Sequence, residues 1–268
     1  MPVTTRARLD AELVRRGLAR SRQQAAELIE QGRVAVRGIP AGKSATVVDR
    51  DTPVTVQEST EREWASRGAH KLIGALDGLG LSVEGRRCLD AGASTGGFTD
   101  VLLDRDAAEV VAVDVGYGQL VWRLQADDRV RVVDRTNVRS LVPDDIGGSV
   151  DLTVADLSFI SLRTVLPALV ACTRVDGDLL PMVKPQFEVG RERLGPGGVV
   201  RDPGLRRDAL GDVVAVARGL GLVLRGAIAS PLPGPSGNVE YFLHLACGGE
   251  AADVGDEVLT RAVAEGPR

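Results

Sequence analysis

A glycine-rich stretch at residues 88–100 limits the folds open to this chain more than any other feature. An apolar run ends in Asp90, three glycines follow within the next seven residues, and residues 98–103 begin a helical pattern. A strand, a glycine turn and a helix in this order form the ligand-facing corner of a doubly wound α/β fold. Glycines permit the sharp turn and the close approach of a ligand to the backbone. The stretch therefore predicts a ligand site at the carboxyl end of a strand.

The spacing of these glycines favours a nucleoside cofactor without a pyrophosphate. Residues 92–97 read Gly-x-x-x-Gly-Gly, whereas dinucleotide-binding turns read Gly-x-Gly-x-x-Gly. A second predicted strand ends in Asp114, and an acid about 20 residues after the turn is placed to bind a ribose. S-adenosylmethionine is a nucleoside without phosphates, so the turn and the acid together indicate a methyltransferase. The alternative is a structural turn in some other α/β protein.

Strands and helices alternate along most of the chain. Apolar runs predict strands near 88–90 and at 110–114, 130–133, 151–156, 179–184, 222–229 and 239–246. Helical patterns cover residues 66–79, 117–126, 162–172 and 203–219, while residues 254–259 suit a short helix or a frayed tail equally. This alternation predicts an α/β, Rossmann-like methyltransferase domain with a seven-stranded, mostly parallel sheet and helices on both faces.

The first fifty residues differ in charge from the rest of the chain. They hold ten Arg or Lys and five Asp or Glu, a net charge of +5, whereas the whole chain carries −4 and the remainder −9. Such asymmetry indicates an anionic partner, although a solvated basic surface has the same composition. Two helical patterns and short alternating runs at 34–36 and 54–56 predict a small α+β domain here.

A motif in this basic segment gives it a family resemblance. It comprises Arg8-Leu-Asp-x-x-Leu-Val-x-x-Gly-Leu-Ala-x-Ser-Arg22, then Ala25, Leu28-Ile29, Gly32 and Val34-x-Val36-x-Gly38. The segment resembles the RNA-binding domain named after ribosomal protein S4, in which arginines of the helix pair contact the RNA backbone. The RNA-binding residues so predicted are Arg8, Arg20, Arg22 and Lys43. We predict an S4-like domain at 1–57, a linker at 58–65 and a methyltransferase domain at 66–268.

Charged residues follow four of the predicted strands. They are Asp90, Asp114, Asp156 and Lys184. In open α/β sheets, ligands bind beyond the carboxyl ends of the strands. This shared position therefore indicates a functional site more strongly than any one of the four residues does.

Further motifs give the whole chain a family resemblance. They are Ser66-Arg-Gly-Ala-x-Lys-Leu72, Asp90-Ala-Gly-Ala-Ser-Thr-Gly-Gly-Phe-Thr99, Asp156-Leu-Ser-Phe-Ile-Ser161 and Val183-Lys-Pro-Gln-Phe-Glu188. The order Lys, Asp, Lys, Glu resembles the ribose 2′-O-methyltransferases of the FtsJ/RrmJ type, and the chain resembles the TlyA (hemolysin A) family. The resemblance implies methylation of cytidine ribose in 16S and 23S rRNA by S-adenosylmethionine. The implied catalytic residues are Lys71, Asp156, Lys184 and Glu240. The predicted cofactor-binding residues are Gly92, Ser94, Thr95, Gly96, Gly97, Phe98, Asp114, Asn137 and Asp156.

The chemistry of ribose methylation suits these residue types. A ribose hydroxyl needs an in-line approach to the methyl group and relief of its proton. A lysine can hold the hydroxyl oxygen, or accept the proton when the amine is neutral. Lys71 would be a second cation beside Lys184, whereas Asp156 and Glu240 would orient both amines and favour their charged form. The sequence leaves both roles of Lys184 open.

Composition excludes several other classes. Three widely spaced cysteines and two histidines form no metal-binding pattern, so we predict no metal. The cysteines lie in apolar runs, which indicates buried thiols in a reducing compartment. No apolar run approaches the roughly 18 residues of a membrane span, and the N-terminus lacks the apolar segment of a signal peptide. We expect a cytoplasmic protein that binds ribosomal RNA or ribosomal subunits and no membrane. The sequence does not indicate its oligomeric state.

Two alternative functions remain at this stage. Asp156-Leu-Ser-Phe159 is similar to the Asp/Asn-Pro-Pro-Tyr/Phe motif of amino-group methyltransferases, which would make the target an RNA base. That alternative leaves both lysines without a role. The second alternative is a non-enzymatic hemolysin-like or RNA-binding protein. Against lysis, the sequence lacks a strongly amphipathic basic segment.

Overall fold

The computed structural model describes residues 6–30, 32–57, 62–234, 236–248 and 253–266. The chain forms two compact units, Met1–Glu63 and Trp64–Arg268. The division falls within the predicted linker of residues 58–65, of which 58–61 lie outside the described residues. Each unit has its own hydrophobic core and is described separately below.

The first unit combines a helix pair with short antiparallel strands. Its described elements are β1 (Arg6–Arg8), α1 (Leu9–Arg15), α2 (Arg22–Glu30), β2 (Val34–Val36), β3 (Ile39–Pro40), β4 (Val47–Asp49) and β5 (Val54–Val56). Strand β2 pairs with β3 and β5, and β1 pairs with β4. Leu13, Leu28, Ile29 and Val34 form the centre of the core between helices and strands. The predicted helix pair and the strands at 34–36 and 54–56 are confirmed.

The second unit alternates strands and helices. Its described elements are α3 (Gly68–Leu79), β6 (Arg87–Ala91), α4 (Gly97–Asp104), β7 (Glu109–Val113), α5 (Trp122–Gln125), β8 (Val130–Val133), β9 (Val150–Ala155), α6 (Leu162–Cys172), β10 (Thr173–Val183), α7 (Pro185–Glu188), α8 (Pro203–Gly219), β11 (Leu222–Ala229), β12 (Tyr241–Cys247) and α9 (Glu257–Glu265). The strands form one seven-stranded sheet in the order β11-β12-β10-β9-β6-β7-β8. Only β12 runs against its neighbours, β10 and β11, within this described sheet. The predicted α/β, mostly parallel fold is confirmed.

Helices cover both faces of this sheet. One face packs against α6, α8 and α9, with Leu166, Leu210 and Leu259 in its core. The other face packs against α3 and α4, with Leu76 and Leu102 in its core. Full burial of each such side chain contributes about 1.5–3 kcal/mol. Because both faces are covered, the edge where the strands end is left for ligands.

Three predicted elements differ from the structure. The helix expected at 117–126 is only the single turn α5, because Gly118 adopts φ +64° and its N–H donates to Asp134 at 2.9 Å. The strand expected from residue 179 begins at Thr173, directly after α6. The tail forms helix α9 at Glu257–Glu265, where Leu259 and Ala262 are buried in the core. A frayed tail is therefore wrong for this segment.

None of the described helices combines the length and the apolar composition needed to cross a membrane.

Candidate active site

The four residues expected to be catalytic come from four different elements. Asp156 follows β9, Lys184 follows β10, Glu240 precedes the antiparallel β12, and Lys71 lies on α3. Because β12 runs in the opposite direction, the residue before it lies at the same edge as residues that follow the parallel strands. Val183 pairs with Tyr241 across β10 and β12, so Lys184 and Glu240 are one step beyond that pair.

Lys184 is held by the loop that follows β9. Its Nζ lies 2.6 Å from Asp156 Oδ1 and donates to Ser158 Oγ at 2.9 Å. The lysine side chain is 9 % exposed and the Asp156 side chain 25 %. A buried charge of this kind is retained only when it is paired. Asp156 therefore fixes the amine at the edge of the sheet while keeping one side open to solvent.

Lys71 and Glu240 form a second, more deeply buried pair. Lys71 Nζ donates to Glu240 Oε2 at 2.5 Å, and the side chains are 7 % and 1 % exposed. Losing one partner of such a pair leaves an uncompensated buried charge, which costs about 3–5 kcal/mol. The expected tetrad is thus two lysine–carboxylate pairs, in which each carboxylate orients one amine and not both.

The glycine turn after β6 packs too closely against neighbouring residues to admit a side chain at Gly92 or Gly96. Gly92 adopts φ +88°, and a Cβ there would lie 2.7 Å from the backbone oxygen of Asp156. Gly96 adopts φ +101°, and a Cβ there would lie 2.7 Å from Leu120 Cδ1. Positive φ values and close contacts both require glycine. The turn therefore brings backbone atoms of the first strand end directly against the Asp156 loop.

Asp114 closes the same turn from the end of β7. One carboxylate oxygen accepts from Ser94 N at 2.9 Å, and the other accepts from Gly116 N at 2.7 Å. Each carboxylate oxygen has a second acceptor position left. The acid is therefore fixed in orientation and retains the capacity to accept hydroxyl groups from a ribose.

Asp90 is the most deeply buried carboxyl group at this edge. One oxygen accepts from both Thr99 N at 2.8 Å and Thr99 Oγ1 at 2.7 Å. The other oxygen has no hydrogen-bond partner among the described residues. Burial, opposed by the Thr99 hydrogen bonds, raises the pKa of Asp90 to about 7. A buried unpartnered oxygen beside a glycine turn is a candidate contact for a polar ligand group.

Comparisons with known proteins agree with this geometry. The FtsJ-like methyltransferase family matches residues 64–247, and the S4 domain matches residues 7–54. The 16S/23S rRNA (cytidine-2′-O)-methyltransferase TlyA of Mycobacterium tuberculosis is 62 % identical over 98 % of this chain and 99 % of its own. Hemolysin A of Brachyspira hyodysenteriae is 35 % identical over 89 % of this chain and 99 % of its own.

The chain belongs to the TlyA (hemolysin A) family of FtsJ-like methyltransferases.

A solved structure of a proposed hemolysin from Streptococcus thermophilus shares the fold of this family member. It is 37 % identical with a TM-score of 0.77, and the match covers 98 % of this chain and 96 % of that one. The predicted family, the fold class and the class of enzyme are confirmed by these matches.

Within the FtsJ-like unit, the other predicted cofactor residues differ in what their side chains contact. Thr95 Oγ1 donates to Ala65 O at 3.4 Å, and Asn137 accepts from Arg139 N at 3.0 Å as the cap of a 3₁₀ turn. The Phe98 ring is buried and lies 6.0 Å from the Phe242 ring, within the core. The backbone of Phe98 is thus the part that remains available to a cofactor.

Sequence reasoning missed residues that fix the two active-site loops of this FtsJ-like unit. Glu188 accepts from Ser161 Oγ at 2.5 Å and from Leu162 N at 2.7 Å, which ties the loop after β9 to α7. Phe159 adopts φ +64°, is 92 % exposed, and lies 5.3 Å from the Phe187 ring. A non-glycine residue at positive φ in an exposed loop is a signal of function, but only the structure reveals the angle.

In the S4 unit, two of the four predicted RNA-binding residues share one buried acid. Arg8 donates through Nε and Nη2 to Asp10, and Arg22 donates to Asp10 Oδ2 at 2.9 Å. The two arginine side chains remain 50 % and 60 % exposed. Arg20 and Lys43 are exposed on the same unit. The structure thus brings Arg8 and Arg22 together, with their orientation fixed by Asp10.

Proposed function

We propose that this protein transfers the methyl group of S-adenosylmethionine to the ribose 2′-hydroxyl of cytidine in 16S and 23S rRNA. The observation that carries the proposal is the pair of buried lysine–carboxylate contacts at the edge where the glycine turn opens. The name of the Mycobacterium tuberculosis relative supports the same reaction. An rRNA substrate also implies that the protein works in the cytoplasm with ribosomal RNA or subunits as partner.

The residues present fit S-adenosylmethionine. Gly92 and Gly96 allow the turn to pack against the Asp156 loop and Leu120, and Asp114 retains acceptor capacity for ribose hydroxyls. The unpartnered oxygen of Asp90 suits a polar group of the cofactor. We assign Ser94, Thr95, Gly97, Asn137 and the backbone of Phe98 to the same site. When bound, the cofactor supplies an electrophilic methyl group on a sulfonium.

Lys184 is placed to hold the ribose oxygen as an ammonium group. An ammonium has three N–H donors; Asp156 and Ser158 each accept one. The third is left for the hydroxyl oxygen that attacks the methyl group, and the hydroxyl proton passes to water at the solvent-exposed side of Asp156. This arrangement favours a steering and charge-stabilising role over a general base. Lys71 adds a second positive charge, which Glu240 holds in place.

The paired state of Asp156 argues for ribose over base methylation. In the amino-group alternative, the acid of the motif accepts from an exocyclic NH₂. Here Asp156 Oδ1 is already bound to Lys184 at 2.6 Å. The exposed ring of Phe159 is placed to stack on the target base. We therefore assign Asp156 to the lysine and Phe159 to substrate positioning.

Nucleoside analysis tests this proposal. Deproteinised 16S and 23S rRNA from cells with and without the gene would be methylated with the purified protein, digested and analysed by tandem mass spectrometry. We expect 2′-O-methylcytidine, which loses its methyl group with the ribose on fragmentation. A methyl group retained on the base would contradict the proposal. Leakage of dye from liposomes without any RNA methylation would instead support the hemolysin-like alternative.

A further inference from the structure

The second unit has a cleft that is lined by none of the residues assigned above. Its volume is about 570 Å³, and Arg201, Arg206, Gly237, Val239, Val263 and Ala264 are among the residues that line it. We name it the Arg201–Arg206 cleft. Ligand pockets occupy about 300–1,000 Å³, so its size suits a nucleotide unit.

The position of the cleft separates it from the proposed cofactor site. Val239 lines the cleft and directly precedes Glu240, but Val239 packs in the core under α8 and α9, whereas Glu240 pairs with Lys71 of α3 on the other face of the sheet. In the sheet order, β12 is separated by β10 and β9 from β6, where the glycine turn begins. The cleft therefore lies at the start of β12, away from the glycine turn and on the face of the sheet that α8 and α9 cover.

Two guanidinium groups in the cleft lack an acidic partner. Neither Arg201 nor Arg206 forms an ion pair with any carboxylate in the part of the chain that the structure describes. By contrast, Arg207, the next residue on α8, lies 3.6 Å from Asp256. Arg206 is fixed by donation from Nε to Val200 O at 2.9 Å, and part of its guanidinium faces the buried Tyr241 hydroxyl. Guanidinium forks suit phosphate oxygens.

The walls of the cleft are held in place before any ligand binds. Asn238 is buried, accepts from Val200 N at 2.9 Å and donates to Gly198 O at 3.0 Å. It thereby joins the segment before β12 to the segment before α8. The buried Tyr241 hydroxyl, beside the Arg206 guanidinium, has no partner of normal hydrogen-bond geometry among the described residues. Burial raises the pKa of Tyr241, and Arg206 opposes the rise.

We propose that the Arg201–Arg206 cleft binds a backbone phosphate of the rRNA strand next to the target nucleotide. The two guanidinium groups take the phosphate oxygens, and Val239, Val263 and Ala264 contact the attached ribose or base. This contact holds the strand in register with Lys184. It rests on the proposed function for the identity of the substrate, but it assigns an RNA contact outside both the tetrad and the S4 domain.

The test is the salt dependence of RNA binding and turnover by the full-length protein. We would compare Arg201→Gln and the double variant Arg201→Gln/Arg206→Gln with wild type between about 50 and 200 mM KCl. The slope of log affinity against log salt should fall by about 1 for a lost phosphate contact. The KM for RNA should rise about tenfold, with the KM for S-adenosylmethionine and the kcat at saturating RNA unchanged.

A matched control and a second probe make the result decisive. Arg207→Gln removes the same charge from the same helix and should leave the salt slope unchanged. Inorganic phosphate at constant ionic strength should compete with RNA for wild type and much less for the double variant. An unchanged KM and slope in Arg201→Gln, which is exposed and should fold normally, would overturn the proposal. Loss of phosphate competition with an unchanged KM for RNA would also overturn it, because the cleft would then take only free phosphate.

RNA binding is measured without methylation, so the two proposals fail separately. Base methylation in the nucleoside analysis would contradict the proposed reaction but not the proposal for the cleft. An unchanged salt slope beside normal ribose methylation would remove the cleft alone.

Discussion

The S4 unit and the glycine turn of the FtsJ-like unit treat a buried carboxyl group in opposite ways. In the S4 unit, Asp10 is bound by Arg8 and Arg22, and Glu12 is bound by Arg15 and Arg16. These partners, with Arg15 acting most strongly, hold the pKa of Glu12 at about 2, well below its usual range. In the FtsJ-like unit, Asp90 has no cationic partner in the described structure, and burial raises its pKa to about 7.

The difference separates two uses of a buried acid. Paired acids hold arginines in a fixed orientation while those arginines stay accessible at the surface. An unpaired acid beside a glycine turn keeps an unsatisfied oxygen at the edge where a ligand binds. The Lys184–Asp156 pair combines the two features. A cation fixes Asp156, as in the S4 unit, and the acid lies at the strand-end edge, as Asp90 does. The predictions below change one member of each case.

Removing Lys184 should have the largest effect, because it converts Asp156 into an unpaired acid and removes the amine that holds the ribose oxygen. We expect Lys184→Ala to lower the single-turnover rate by about 10²–10⁴-fold, with RNA binding unchanged. Lys184→Arg should not restore the rate, since a guanidinium differs from an ammonium in shape and in the directions of its donors. Rapid-quench methylation with saturating RNA and cofactor measures this. A rate near that of wild type for Lys184→Ala would exclude the proposed role.

Neutralising Asp90 should change how stability varies with pH. The folded-state pKa of about 7 lies above the usual aspartate value of 3.8, so between these values the folded form binds more protons than the unfolded form. Stability therefore falls as pH rises through this window, by a few kcal/mol at about 1.4 kcal/mol per pKa unit. Asp90→Asn should remove this fall. Urea unfolding at pH values across the window gives the difference, and parallel curves for both proteins would refute the assignment.

Glu12 should show the opposite sign. Its folded-state pKa of about 2 lies below the usual glutamate value of 4.5, so its contribution to stability is complete above pH 4.5 and is lost as pH falls through 2. Glu12→Gln should destabilise the S4 unit at neutral pH by about 1–3 kcal/mol. The difference between variant and wild type should shrink in acid. Hydrogen exchange of amides in α1 and α2 reports on this unit, and a difference that grows in acid would contradict the pairing.

Asp10 offers a smaller effect whose sign is informative. Asp10→Asn makes the unit more positive, which alone would strengthen RNA binding. If Asp10 fixes Arg8 and Arg22 for phosphate contacts, the variant should instead weaken binding, by about threefold, which corresponds to under 1 kcal/mol. Arg8→Ala, the matched comparison, should weaken binding about tenfold. Tighter binding by Asp10→Asn would show that the acid only reduces the charge of the surface.

The sequence predicted strand ends better than the directions of side chains. Apolar runs located every strand of the seven-stranded sheet, because buried parallel strands are continuous in hydrophobicity. Asp156 and Lys184 were singled out by that position, and the family resemblance supplied their proposed roles. The sequence could not show which lysine binds which acid, because that depends on the pairing of β9 with β10 and on the placement of α3 beside Glu240. It could not place the Phe98 ring either, since a turn of helix decides whether a side chain enters the core or the site.

Turns and short strands were the other features that the sequence did not predict. The helix expected at 117–126 has suitable residues but is interrupted by Gly118, whose turn is stabilised by Asp134, sixteen residues away. Sequence reasoning also missed β1, β3 and β4, which have two or three residues each. In both cases, long-range contacts decide the structure where local preference is weak.

The pH dependence of the wild-type single-turnover rate, with RNA and cofactor saturating, tests the role of Lys184 most directly. A role in steering and charge stabilisation predicts a rate that stays level from about pH 6 to 8. Saturating cofactor removes any contribution from the titration of Asp90 to binding. A rate that rises about tenfold per pH unit across the same range would contradict this role and make Lys184 a general base.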